Sequence, residues 1–253
     1  MKYTPQIAIL NDMLEGGLGR RRAALAAVAL AASAETAEAF NPKDVPLDAP
    51  PSSVATEIHR HSLAGGIRRE VLALSYQLNG RHYTVAAIGG LWGIPPQVAT
   101  RVMAELDKAS GRQGEQTKVY SIHNHSAELM ISYFKGAFGN ADPPRPNDFL
   151  WGPSTNDCDA SGISINAELV VNLIVEPGGW WVCSSVKTAV NDNEVNVLRN
   201  ELAHKSQEIA GPEFDAYVQV FRERYRALSG ISIEFVRAGS TDAEIEAASA
   251  RLK

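Results

Sequence analysis

The chain has 253 residues, 45% of them hydrophobic, and a formal net charge of −5. That length and composition suit one domain of moderate size with appendages, or two small ones, with apolar side chains enough for a real core. The acidic balance offers no basic footprint for nucleic acid, and two cysteines, Cys158 and Cys183, allow one bridge or two reduced thiols, so neither a nucleic-acid binder nor a disulfide framework is expected.

Residues 1–40 read as an Ala-rich N-terminal helical segment. In "GLGRRRAALAAVALAASAETAEAF", three arginines precede the twelve-residue apolar run from Ala23 to Ala34. A bilayer span needs about 20 apolar residues, so this run is too short to be a transmembrane segment. It resembles the hydrophobic part of a secretory signal, and Arg21-Arg22 loosely echoes a twin-arginine export signal. Asp12 and Glu15 ahead of it and alanine directly after the arginine pair favour the other expectation. That is a helix, alanine being the best helix former, that docks on a protein partner or on the body of the chain. An intracellular or assembly-associated setting is expected on the same grounds.

Residues 41–51, "NPKDVPLDAPP", carry four prolines and read as an extended linker to a core over 52–189. A short helix capped by Ser52 or Ser53 runs through "VATEIHRHSLA" to Gly65-Gly66. In "REVLALSYQLNGRHYTVAAIGG", two β-prone runs flank Asn79-Gly80, the strongest short hairpin signal. "PPQVATRVMAELDKA" has helical spacing and a proline start, and "TKVYSIH" then reads as a strand ending at His123 and His125. Residues 126–153 form a long connection, a length typical of lids and binding loops. Two strands around Pro177-Gly178-Gly179 follow. Beyond 190 the chain is mainly helical, interrupted by a small strand, "ISIEFV". The expected class is α/β or α+β, a mixed sheet flanked by helices.

Chemistry is concentrated in "VYSIHNHSAE" and "GPSTNDCDASG". Residues two apart on a strand point to the same side, so His123 and His125 project together, as two imidazole ligands would. Ser154 and Asp157, three apart, share a face if a helical turn starts there. Ser-x-x-Asp is also a helix-capping box, and a capped turn would hold the aspartate rigidly. Two histidines and one carboxylate would give zinc three protein ligands and an open fourth position, the arrangement of a catalytic site. Cys158 and Asp159 are alternative ligands in the same loop. Glu70, at the start of the first strand, is the carboxylate to pair with such a centre as proton acceptor; read locally, it is an exposed strand-edge residue.

The order of these features resembles the JAB/MPN metallopeptidases, also called JAMM. The likeness covers residues 54–186 and rests on Glu70 opening a hairpin, a helix, His123-x-His125 at a strand end, and Ser154-x-x-Asp157. The resemblance implies a JAB/MPN-like fold and Zn2+ held by His123, His125 and Asp157. It implies Glu70 as general acid/base and Ser154 as oxyanion donor in hydrolysis of an amide bond of a protein or peptide substrate. In this chain 28 residues separate His125 from Ser154, where the family has a short loop, and Ser126 stands where many members have proline.

His59 and His61 in "EIHRH" diverge by about 200° on a helix, which makes a poor ligand pair and reads as a solvated face. His82 and His204 read as surface or packing residues. Trp180 and Trp181 are expected to straddle the two faces of their strand. Two further functions fit the same residues: a non-haem iron enzyme, since two histidines and a carboxylate suit that metal, and a non-catalytic scaffold of the same fold.

Overall fold

The computed structural model describes residues 40–63, 69–90, 93–111, 117–125, 130, 135, 145–158, 167–184 and 192–252. The expectations for residues 1–39, for most of the 126–153 connection and for Asp159 lie outside them. The described residues belong to one compact unit, Ala39–Lys253.

The hairpin forms as its turn dipeptide dictates. Strands β1 (Val71–Leu78) and β2 (Arg81–Ile88) pair antiparallel in unbroken register from Leu78↔Arg81 to Val71↔Ile88. Asn79 and Gly80 both have positive φ, 51° and 75°. Positive φ at both central positions is the type I′ geometry, whose twist matches the flanking strands. Helix α1 (Pro51–Leu63) precedes the hairpin and α2 (Pro96–Ser110) follows it. Strand β3 (Thr117–Asn124) adds to the other side of β1, and β4 (Ala167–Glu176) lies parallel to β3. Strand β5 (Gly179–Ser184) returns antiparallel. Helices α3 (Asp192–Glu208) and α4 (Gly211–Ser229) lead to β6 (Ile233–Val236) and α5 (Asp242–Arg251). The result is a mixed α/β fold with one six-stranded sheet, order β2-β1-β3-β4-β5-β6. Its last strand comes from the chain beyond residue 190.

Both faces of the sheet are covered, which is why its strands read as apolar runs. On one face Val71, Ile122, Leu173, Trp180 and Val182 pack under Ala55 and Ile58 of α1 and Ile245 and Ala248 of α5. On the other face the helices divide. Val102 and Leu106 of α2 cover Leu72, Leu74 and Val119. Leu198 and Leu202 of α3, with Phe221 and Tyr225 of α4, cover Ile174, Trp181 and Cys183. Phe221 and Tyr225 are four apart, so α4 sets both rings on one stripe, and truncating either to alanine would cost about 3–5 kcal/mol. Trp180 and Trp181 belong to opposite faces, as expected, and both are fully buried. By the same alternation, Ser121 and His123 follow Val119 on the divided face, toward the C-terminal end of β3.

Two expectations need correction. Helix α1 starts at Pro51, ahead of Ser52 and Ser53, because its cap comes from elsewhere: the Ser52 N–H donates to Asp242 Oδ1 at 2.8 Å, 190 residues away. His59 and His61 do diverge, but not into solvent. His59 Nε2 donates to the Pro177 carbonyl at 2.9 Å, whereas His61 is 5% exposed, sits edge-on to Phe40 and meets Glu57 Oε1 at 2.9 Å. The Pro177 carbonyl that His59 meets and the Phe40 ring that covers His61 are supplied only by the tertiary fold. Among the described residues, no helix is long and apolar enough to cross a membrane.

Candidate metal centre

The site lies where β3 and β4 end side by side. Their parallel register sets His123 against Ile174 and Asn124 against Val175. His125 follows the last residue of β3, yet its N–H still donates to the Val175 carbonyl at 3.3 Å, so the ladder holds the His-x-His segment past the strand end. The middle residue faces away from this work: Asn124 Oδ1 accepts the Val71 N–H at 2.7 Å and ties β3 to the residue after Glu70.

The carboxylate comes from the loop before β4. Asp157 occupies a short 3₁₀ turn, Asn156–Cys158. The Ser154 N–H donates to Asp157 Oδ2 at 2.5 Å, and the Asp157 N–H donates to Ser154 Oγ at 3.2 Å. This is the reciprocal bonding of a capping box, and it leaves the carboxylate oriented by its own turn. The capping and ligand readings of Ser-x-x-Asp are thus compatible.

His123, His125 and Asp157 converge. His125 Nε2 is 3.0 Å from Asp157 Oδ2, and His123 Nε2 is 3.5 Å from Asp157 Oδ1. One ligand atom from each residue falls within 4.8 Å of the others. Bonds of about 2.0–2.1 Å in a tetrahedral zinc site separate ligand atoms by about 3.3 Å, and the two histidine–aspartate distances, one to each carboxylate oxygen, are of that order. The three residues could therefore hold a metal ion. Cys158 does not join them: its side chain is fully buried in the cluster under α3 and α4, and both cysteines are free thiols. Burial, with Cys158 beside it, pushes the Cys183 thiol well above its ordinary value.

Electrostatics follow from this packing. Burial opposes a charged His125, but the Asp157 carboxylate and then Glu176 outweigh it and push its pKa up to about 10. Burial likewise works against a charged Asp157, yet His125 and His123 hold its carboxyl well below the ordinary range. The pair is an imidazolium–carboxylate pair with a second carboxylate behind it.

Glu70 is only 8% exposed, which corrects the strand-edge reading. Its backbone bonds to Gly89 and Gly90, which closes the base of the hairpin. Among the described residues its carboxylate has no hydrogen-bond partner. Burial raises its pKa, and the charges of His123 and His125 act against that rise. It is thus a desolvated carboxylate that feels the three converging residues.

Sequence reasoning missed Glu176. This last residue of β4 is 1% exposed and accepts from His125 Nδ1 at 2.7 Å. Trp151, whose ring stands edge-on to His125, is stacked under the Arg199 guanidinium at 4.1 Å. The available signal was a lone glutamate closing the apolar run "LVVNLIVE", in phase with Asn172 and Ile174.

Against known proteins, the chain matches no family model, no curated protein and no solved structure.

Proposed function

We propose that this protein is a zinc-dependent hydrolase of amide bonds, of the JAMM kind that its sequence resembles. The observation that carries the reading is the convergence of His123, His125 and Asp157 beside a buried Glu70. In this reading the three residues hold Zn2+, which when bound supplies Lewis acidity, polarising a carbonyl and bringing the pKa of water down to about 7.

The chain's own groups account for the rest. Glu70, desolvated and with a raised pKa, takes a proton from water at one carboxylate oxygen and delivers it to the departing amine nitrogen. The Ser154 hydroxyl accepts the Asp157 N–H and keeps its own hydrogen to donate to the carbonyl oxygen as charge develops there. Asp157 is held by the same turn, so Ser154 positions a ligand as well as donating a bond.

The test is a panel of linear peptides, isopeptides and peptide crosslinks incubated with the zinc-loaded protein, beside Glu70→Gln. Cleavage of one class by the wild type, absent in the variant and lost on chelation, supports the reading. A protein that binds zinc and cleaves none of them favours a non-catalytic scaffold.

A further inference from the structure

Among the described residues, every partner of the Glu176 carboxylate is a donor. Oε1 accepts from His125 Nδ1 at 2.7 Å and from the Gly152 N–H at 3.1 Å. Oε2 accepts from the Trp151 N–H at 3.0 Å, the Gly152 N–H at 3.1 Å and Trp181 Nε1 at 2.9 Å. These donors belong to three separate parts of the chain: the end of β3, the segment that leads into the Ser154–Asp157 turn, and β5. The segment is fixed again just upstream, where the Gly178 N–H donates to the Phe149 carbonyl at 3.0 Å, and at Gly152, whose carbonyl accepts from Arg199 Nε at 3.1 Å.

We infer that Glu176 is the positioning residue of the metal centre, one side chain that fixes the spacing between ligands carried by two different segments. It acts through others and touches no metal. By taking the Nδ1 hydrogen of His125 it fixes the ring's orientation and leaves Nε2 toward Asp157, the usual role of a carboxylate behind a ligating histidine. By taking the Trp151 and Gly152 N–H groups it sets where the following turn, and so Asp157, stands. Glu176 bonds both to the strand end and to the loop from which this metal centre is assembled. The inference rests on the metal-centre reading above.

Glutamine is a demanding substitution here. Both carboxylate oxygens face donors, so an amide NH2 at either place would set a donor against a donor. The experiment loads wild type, Glu176→Gln and Glu234→Gln with Co2+ and measures Kd by chelator competition together with the visible spectrum. Glu234 of β6 is also a buried carboxylate, held by Arg222 of α4 and Arg251 of α5, and serves as the control for loss of a buried charge. Glu176→Gln is expected to bind about 10–100-fold more weakly, with an altered cobalt spectrum, while Glu234→Gln matches the wild type. Unchanged affinity and spectrum in Glu176→Gln overturn the inference and leave the centre standing. Wild-type protein that takes up no cobalt overturns the centre and this role together. If Glu176→Gln does not fold, nitrogen NMR of zinc-loaded wild type decides: a protonated Nδ1 and metal-bound Nε2 on His125 support the role, and the opposite assignment overturns it.

Discussion

His125 Nε2 lies 3.0 Å from Asp157 Oδ2, although 32 positions separate the two residues. No local preference brings them together. The ring is delivered by the β3–β4 ladder and the carboxylate by a self-capped turn, and the buried Glu176 bonds to the approaches of both. In the metal-free protein the contact is an ion pair. A metal would take the place of the proton on Nε2.

That exchange fixes a pH dependence. With its pKa at about 10, His125 is protonated at neutral pH, so metal uptake releases a proton from it. Affinity should rise about tenfold per pH unit between pH 7 and 9, as expected for one displaced proton. Chelator competition across that range checks it; a flat profile contradicts it. The sign for stability is the reverse. The pair's contribution to the metal-free fold is complete below His125's unfolded value near 6.5 and fades as pH climbs through about 10. It is also lost in acid, beginning at the ordinary Asp value of about 4 and ending as pH falls through Asp157's own, much lower value.

Glu70→Gln separates chemistry from metal binding. Glu70 belongs to no ligand pair in the convergent group, so zinc content should be unchanged. The turnover rate should fall by about 100-fold or more, the usual worth of a positioned proton acceptor. Lost zinc in this variant would make Glu70 part of the binding site.

Ser154→Ala removes two functions at once. The Asp157 N–H loses its side-chain acceptor and keeps only the Ser154 carbonyl at 3.2 Å, which costs about 1 kcal/mol of stability by analogy with other caps. Loss of the hydroxyl donor should lower kcat by about 100-fold with little change in KM. Thermal unfolding and steady-state kinetics measure the two separately. A change in stability alone would leave Ser154 as a cap.

Gly152 is irreplaceable for a backbone reason. Its φ is +80°, and a Cβ there would meet the Phe221 ring at 2.9 Å. Gly152→Ala should therefore destabilise the fold by about 1–3 kcal/mol, the range for overpacking a filled core. Denaturant midpoints test this, and a neutral result would mean that the 145–158 segment can shift away from α4.

What the sequence could reveal is divided along a physical line. Features set within a few residues were legible: the Asn79-Gly80 turn, the shared side of His123 and His125, and the Ser154–Asp157 spacing. Features set by long-range pairing were not. Glu176 reaches His125 only because β3 and β4 run parallel in one particular register, and a lone glutamate ending an apolar strand does not encode that register. Glu70 reads as exposed because its burial depends on the closed base of the hairpin and on the residues facing it. His61 reads as solvated because Phe40, which covers it, lies 21 positions away across a proline-rich stretch.

Whether His123, His125 and Asp157 hold zinc, as proposed, is read from the metal content of the purified protein. Elemental analysis should be run beside the His123→Ala, His125→Ala double variant. About one zinc per chain is expected in the wild type, matching a single three-residue site, and none in the variant. Iron in place of zinc would move the chemistry to oxidation, and no metal after zinc is supplied would contradict the centre outright.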